Sequence, residues 1–455
     1  FMAIVLLNVS CKKDPKPEQP ITDPLKEVKT YLFNDIMSKW YYWYKNIPNV
    51  DASKQTDINS YFKALLYKPI DRWSHMVDNK GWFEETTGVS KTYGEEWGQN
   101  EKAEIFVKLV HEGSPMDKKG IKRGFKLTHL NGIDVMSYLS SDAGVKELIS
   151  ILDRDSNTFT FLDNNGNVFG PVEITAQEIQ KKSVYKTLVF TSADYAGLPY
   201  KVGYLNYLSF MMANDELDKA FATFKAENVE VLILDLRYNG GGWISMAQKL
   251  CNYICPADKE NQILLQYRYN DKIQAEIDKD PKYKEENTVV RLSRLPNSLN
   301  LKKLYILTSK GTASASEVTL NGLYPLMEVH QVGTQSYGKP NGMLTFDYPK
   351  GTRNDKERLQ YVFSPITFYD VNSLGQEIPA GDKAGSGMVP ENYGGKTISE
   401  DLTQDFGVNE AWVKACLNHI VTNTWPKSAK TRNTATDKKF IKMPEDNPNY
   451  GWLIK

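Results

Sequence analysis

The sequence predicts an α/β core preceded by a helical region and a β-rich module. Three observations carry this reading. Val231-Leu232-Ile233-Leu234 is an unbroken apolar run of strand length, the pattern of a parallel strand covered on both faces. Leu304-Tyr305-Ile306-Leu307-Thr308 is another, followed by a turn of small residues, a helical pattern through Val318, Leu320 and Leu323, and a further apolar run from Val329 to Gly333. From about residue 83 to 180 the pattern changes to short strands and turn signals, clearest at Ile105–Val110, Gly113-Ser114-Pro115-Met116 and Asn131-Gly132. A chain of 455 residues is long enough for two or three hydrophobic cores.

Composition narrows the function classes. Lys plus Arg and Asp plus Glu each number 56, so the formal net charge is zero and no dedicated nucleic-acid surface is expected. The five histidines form no His-Glu-x-x-His pattern, which argues against a metallopeptidase. Cys251 and Cys255 sit four apart in a helical stretch, but no second Cys/His pair follows at metal spacing, so they read as core thiols. Gly240-Gly241-Gly242 lacks the Gly-Lys-Ser/Thr and Gly-x-Gly-x-x-Gly patterns of phosphate loops. No cofactor and no metal are expected.

Taken in order, the chain opens on an apolar run, Phe1 to Ser10, too short to span a bilayer and suited to the apolar part of a signal segment. Cys11 follows a small residue and precedes Lys12-Lys13-Asp14-Pro15. This resembles a bacterial lipoprotein signal with Cys11 as the lipidated residue, although Asn8 stands where that pattern has Leu. The resemblance implies a membrane-anchored protein of the bacterial cell envelope, facing the periplasm or the cell surface. Residues 1–11 are therefore read as the signal segment and 12–24 as a linker. Residues 25–82 form a helical region in which Ile36, Trp40, Trp43 and Tyr44, then Ile58, Tyr61, Phe62 and Leu65, recur near a period of 3.6. The β-rich module takes 83–180 and the α/β core 181–424. Within the core, Asp258 to about Lys303 is a charged stretch with a strand and an insertion, and Glu410 to Thr422 is a helix. Residues 425–455 are a polar tail without an assigned function.

The chemistry is read from two places. Ser314 lies at the turn before a helix, where unpaired backbone N–H groups face developing negative charge. A serine needs a base, and Lys339, 25 positions later, follows a returning strand that could bring it back beside the turn. Ser314 and Glu317 equally fit a helix-capping box, and a lone lysine is usually a solvated one. The glycines after the strand at 231–235 supply backbone that can approach a ligand closely.

Gly311-Thr312-Ala313-Ser314-Ala315-Ser316-Glu317 with Tyr337-Gly338-Lys339, and Asp235-Leu236-Arg237-Tyr238-Asn239-Gly240-Gly241-Gly242, closely resemble the motifs of the carboxy-terminal processing (tail-specific) serine peptidases. The resemblance runs from about Asp23 to Asn392 and takes in Asp71-Arg72-Trp73-Ser74 and the segment Gly385-Ser386-Gly387-Met388-Val389-Pro390. It implies a ClpP/crotonase-like core and makes Ser314 the nucleophile, Lys339 the general base, and the backbone N–H groups of Gly241 and Ala315 the oxyanion hole. It also implies that residues 83–180 are a PDZ-like domain, whose carboxylate-binding loop would lie near Tyr93-Gly94-Glu95-Glu96-Trp97, and that the partners are protein or peptide substrates with accessible C-termini. The chain departs from the pattern at Gly240 (often Pro), at Phe125 (commonly Asp), and at Met343, where many members have a Gln that orients the lysine; Pro340 directly follows Lys339. The alternatives are a non-catalytic ligand-binding protein on the same scaffold, against which the Ser/Lys pair counts, and a crotonase-like acyl-CoA enzyme, which would leave the β-rich module and the signal segment unexplained.

Overall fold

The structure is a computed structural model and describes residues 23–212, 214–349, 359–380 and 387–426. The signal-like segment with Cys11, nearly all of the 12–24 linker and the tail from 427 onward lie outside the described residues.

The core is a six-stranded sheet in the order β1 (Val184–Phe190), β2 (Val202–Tyr207), β3 (Val231–Asp235), β4 (Lys303–Thr308), β5 (Val329–Gly333) and β6 (Lys396–Thr397). β1 is antiparallel to β2, and every other pairing is parallel. The unbroken apolar runs follow from cover on both faces. Leu232, Leu234, Leu304 and Ile306 face a cluster that includes Leu217 and Phe221 of α1 (Glu216–Ala226), Leu250 of α2 (Ile244–Ile254) and Val318 of α3 (Ala315–Leu323). Val231, Ile233, Tyr305 and Leu307 face Trp412, Val413, Cys416 and Leu417 of α4 (Ala411–Thr422). Cys251 is buried inside α2 and Cys255 is buried at its C-cap. Both are free thiols, and no metal-binding group of side chains occurs among the described residues.

A four-stranded sheet flanks the site, in the order Val289–Arg291, Ile263–Tyr269, Ile366–Val371 and Asn341–Met343. The charged stretch after Asp258 therefore builds two strands of this sheet, with the short helices Asp271–Ile277 and Pro281–Thr288 between them. The β-rich module is a six-stranded sheet: Glu95–Gln99, Ile105–Val110, Lys126–Leu130, Ser156–Leu162 and Val168–Thr175 lie side by side, and the short strand Ile133–Asp134 pairs with Lys126–Leu130 off that path. It has its own core around Trp97, Leu148, Phe159 and Phe161. Its two ends meet in an antiparallel pair, Val89–Thr92 with Gln177–Gln180.

Two local expectations need correction. The strand-rich stretch does not begin at residue 83, because Asn79–Thr87 is a helix. Asp78 accepts the Gly81 N–H at its start, and Gly88 closes it with φ 75°. In the amino-terminal region the helix stops at Trp40, so Trp43 and Tyr44 are only half-buried. Tyr41 takes the buried position, its hydroxyl donating to Asp71 Oδ2 at 2.7 Å. The second helix is as expected, with Ile58, Tyr61, Phe62 and Leu65 all buried.

One buried charge network fixes the end of β3. Arg237 is 1% exposed and binds Asp235 at 2.9 Å, Glu410 at 2.8 Å and Glu400 at 3.2 Å. Arg123 of the β-rich module reaches the same Glu400 at 2.9 Å and donates to the Tyr238 hydroxyl at 2.8 Å. Arg237→Ala would leave Asp235 and Glu410 buried without a cation. It is expected to lower the unfolding free energy by roughly 3–5 kcal/mol, as read from urea denaturation.

Candidate active site

β3 and β4 run parallel, with Asp235 opposite Leu307, so the loops that follow them leave the sheet side by side at its carboxyl edge. That edge is where open α/β sheets place their ligands. The turn after β4 is tied to the end of β3. Thr312 Oγ1 donates to Leu236 O at 2.8 Å, the Ala313 N–H donates to Asn239 O at 3.2 Å, and Ser316 Oγ donates to Asn239 O at 2.8 Å.

Ser314 stands at the N-cap of α3 with φ 55° and ψ −119°. An L residue holds such a conformation at a cost on the order of 1–3 kcal/mol, and only where its surroundings enforce it. A sharp strand-to-helix turn of this kind exposes a side-chain hydroxyl above the sheet. Ala315 opens the helix, so its N–H has no acceptor within it.

Gly241 packs against this turn. A Cβ placed on it would lie 2.8 Å from Ser314 Cβ and 3.0 Å from Ala315 N, and its φ is +104°, so both space and backbone require glycine. Its N–H, however, is not free, because it donates to Asn239 Oδ1 at 2.9 Å. The expected availability of that N–H as an oxyanion donor is not met in this conformation. Asn239 is itself fixed, fully buried with Nδ2 donating to Tyr207 O at 2.9 Å.

Glu317 joins the serine turn to the lysine turn. Its buried carboxylate accepts the Ser314 N–H at 3.0 Å and the Lys339 N–H at 2.9 Å on Oε2; Oε1 accepts the Gly338 N–H at 2.7 Å and the Ser336 hydroxyl. Ser336 Oγ in turn accepts the Met388 N–H at 2.9 Å, which brings in the closing segment. Burial raises the Glu317 carboxyl above its ordinary value, and these four hydrogen bonds oppose the shift.

Lys339 is half-buried, and the withdrawal of its ammonium from water lowers its pKa from 10.5 to about 8. The carboxylates of Asp370, Glu317 and Asp71 act against that fall. Asp71 is buried and receives the N–H groups of Trp73 and Ser74 at 3.0 Å each. Met343 lies on the strand Asn341–Met343 opposite Ile366 and offers no hydrogen-bonding group to the lysine comparable with an amide. Sequence reasoning singled out Ser314, Lys339, Gly241 and Ala315, and the structure sets the serine turn against Gly241 and ties it to the lysine turn through Glu317. Sequence reasoning saw Glu317 only as a helix cap, and it missed Asp370, which no local motif marks.

A cavity of about 130 Å³ lies in the β-rich module. Its lining includes Ser90, Tyr93, Glu95, Trp97 and Arg154, so the expected loop at Tyr93–Trp97 does border a hollow. Glu95 is buried, and burial lifts its carboxyl to about 8.

Glu317→Gln is expected to turn an amide NH2 toward two donors that now bind a carboxylate oxygen. It should cost roughly 3 kcal/mol of stability and loosen Ser314 from Lys339. Thermal melting together with labelling of Ser314 by a fluorophosphonate would register both effects.

The model for peptidase family S41 matches residues 201–375, and that for the peptidase S41 N-terminal domain matches residues 28–75. A Staphylococcus aureus protein named as a probable CtpA-like serine protease is 23% identical over 353 residues, covering 77% of this chain and 63% of its own length. The carboxy-terminal processing protease CtpA of Bacillus subtilis is 22% identical over 311 residues, covering 66% of this chain and 60% of its own. The chain thus spans less than two thirds of these relatives. Among solved structures, a Bacteroides fragilis protein named as a candidate S41 protease matches with a TM-score of 0.64 at 23% identity, over 86% of this chain and 97% of that one, which shows a shared fold.

Proposed function

We propose, from the premise that the chain carries peptidase family S41 domains, that it is a serine endopeptidase working through Ser314 and Lys339. The observation that carries the reading is the shared Glu317 carboxylate, which fixes the serine turn and the lysine turn on one group beside Gly241. In the proposed reaction Ser314 Oγ attacks the scissile carbonyl carbon while its proton passes to Lys339 Nζ. The carbonyl electron pair moves onto oxygen, which the Ala315 N–H receives. The Gly241 N–H joins it by exchanging Asn239 Oδ1 for the oxyanion; one such donor contributes on the order of 3 kcal/mol. Collapse breaks the C–N bond, and the leaving amine takes the proton from Lys339. Water, deprotonated by Lys339, then hydrolyses the acyl-serine ester.

The region around Glu95–Thr175 is assigned as a PDZ-like domain inserted before a ClpP/crotonase-like core. The paired strands Val89–Thr92 and Gln177–Gln180 give it a stem, and the cavity at Tyr93–Trp97 gives it a place for a peptide end. We assign boundaries near 83 and 180 for this unit and 181–424 for the core, with an N-terminal helical region before them. Substrates are protein or peptide chains engaged near their C-termini. No helix among the described residues is long and apolar enough to cross a membrane, and lipid anchoring through Cys11 at the cell envelope is the attachment we assign.

Incubation of an unstructured protein with the parent, Ser314→Ala and Lys339→Ala should give cleavage by the parent alone, read by mass spectrometry. Cleavage by all three removes the dyad, and cleavage by none favours a ligand-binding protein on this scaffold. Since the neutral amine is the base, and its pKa is about 8, parent activity should rise as pH increases through about 8 and fall away below it.

A further inference from the structure

The position four residues after Lys339, where the family it resembles often has an orienting Gln, is Met343, and the fold brings the backbone of a buried acidic residue against the lysine turn. Asp370 lies on the strand Ile366–Val371, which pairs with Asn341–Met343 directly after the lysine. The Asp370 N–H donates to Pro340 O at 3.4 Å, one residue from Lys339. Asp370 is only 4% exposed. Among the described residues its carboxylate has no hydrogen bond, and neither it nor the Lys339 ammonium has an ion-pair partner within 4.0 Å. A buried carboxylate without a partner is costly, and a nearby cation is what relieves it.

We propose that Asp370 is the positioning residue of Lys339, holding its side chain toward Ser314 and stabilising the ammonium that forms when Lys339 takes the serine proton. This rests on the Ser314–Lys339 reading. The role parallels that of the acid in a Ser-His-Asp triad, which orients the base and balances its charge without touching substrate. The other charged groups around Lys339 have different commitments. Glu317 on α3 is filled by four hydrogen bonds, and Asp71 accepts the Tyr41 and Ser74 hydroxyls. His75, on the strand His75–Asp78, bonds Trp73 O through Nδ1, and burial holds its pKa below the ordinary value. Glu377, which also acts on Asp370, is about half exposed. Asp370 is the largest influence keeping the proton on Lys339, and its own carboxyl is raised by burial to about 8, so the two groups titrate as one coupled unit.

The test is the pH dependence of fluorophosphonate labelling at Ser314 in the parent, Asp370→Asn and Asp370→Glu, with melting temperatures recorded for each. Removing the charge should lower the midpoint of the rising limb by about one pH unit, the usual effect of a close opposite charge. Asp370→Glu should return the midpoint toward the parent's. A profile for Asp370→Asn that overlays the parent's, or moves upward, overturns the proposal whatever happens to the plateau. If Asp370→Asn does not fold, NMR titration of Lys339 in Ser314→Ala protein decides: a two-step curve supports the coupled pair and a single step overturns it. Parent labelling that is indifferent to Lys339→Ala overturns the dyad itself, a failure distinct from an unmoved Asp370→Asn profile in a working enzyme.

Discussion

Everything at the candidate site hangs on the Glu317 carboxylate. It is buried, so its two oxygens bind protein donors in a medium where each hydrogen bond counts for more than in water. Two of its donors come from the segment carrying Lys339, one from Ser314 and one from Ser336, which holds the closing segment through Met388. The serine turn and the lysine turn therefore share one anchor, and the closing segment is tied to it through Ser336. The lysine turn has no regular structure of its own to fix it, and this carboxylate supplies what a helix or strand otherwise would.

The glycine loop is held from the opposite side. Arg237 binds Asp235 within β3 and reaches Glu410 at the cap of α4. Through Glu400 and the Tyr238 hydroxyl, the same network meets Arg123 from the β-rich module. The residue after Tyr238 is Asn239, which holds the Gly241 N–H. The path from the module to the candidate oxyanion loop thus runs through buried charges, whose separation is expensive in a low-dielectric interior.

How much of this was legible in the sequence depends on how local each signal was. The strands at 231–235 and 303–308 were clear because cover on both faces forces an unbroken apolar run. Ser314, Gly241 and Lys339 stood out as candidates because a turn before a helix, glycines after a buried strand and the spacing of the lysine each favour particular residue types. The helix at Asn79–Thr87 was missed although Asp78 and Gly88 mark its ends, since its sequence carries no strong apolar stripe to draw attention to them. The run Trp40 to Tyr44 misled in the other direction: five adjacent aromatics look periodic at almost any spacing, and only tertiary packing selected Tyr41 for burial. Asp370 had no local signature. A single acid in a strand becomes a candidate only when pairing with Asn341–Met343 sets its backbone against Pro340, next to the lysine.

The backbone at Ser314 carries a last consequence. Its dihedral angles, φ 55° and ψ −119°, are ones that glycine reaches without hindrance and serine does not. A protein chosen only for foldability would hold glycine there. Under the proposed reading, keeping serine retains the nucleophile's hydroxyl at the expense of conformational comfort, so position 314 becomes a point where durability and chemistry pull apart. A descendant released from the chemistry would have an easy route to a sturdier scaffold, through the loss of one CH2OH group.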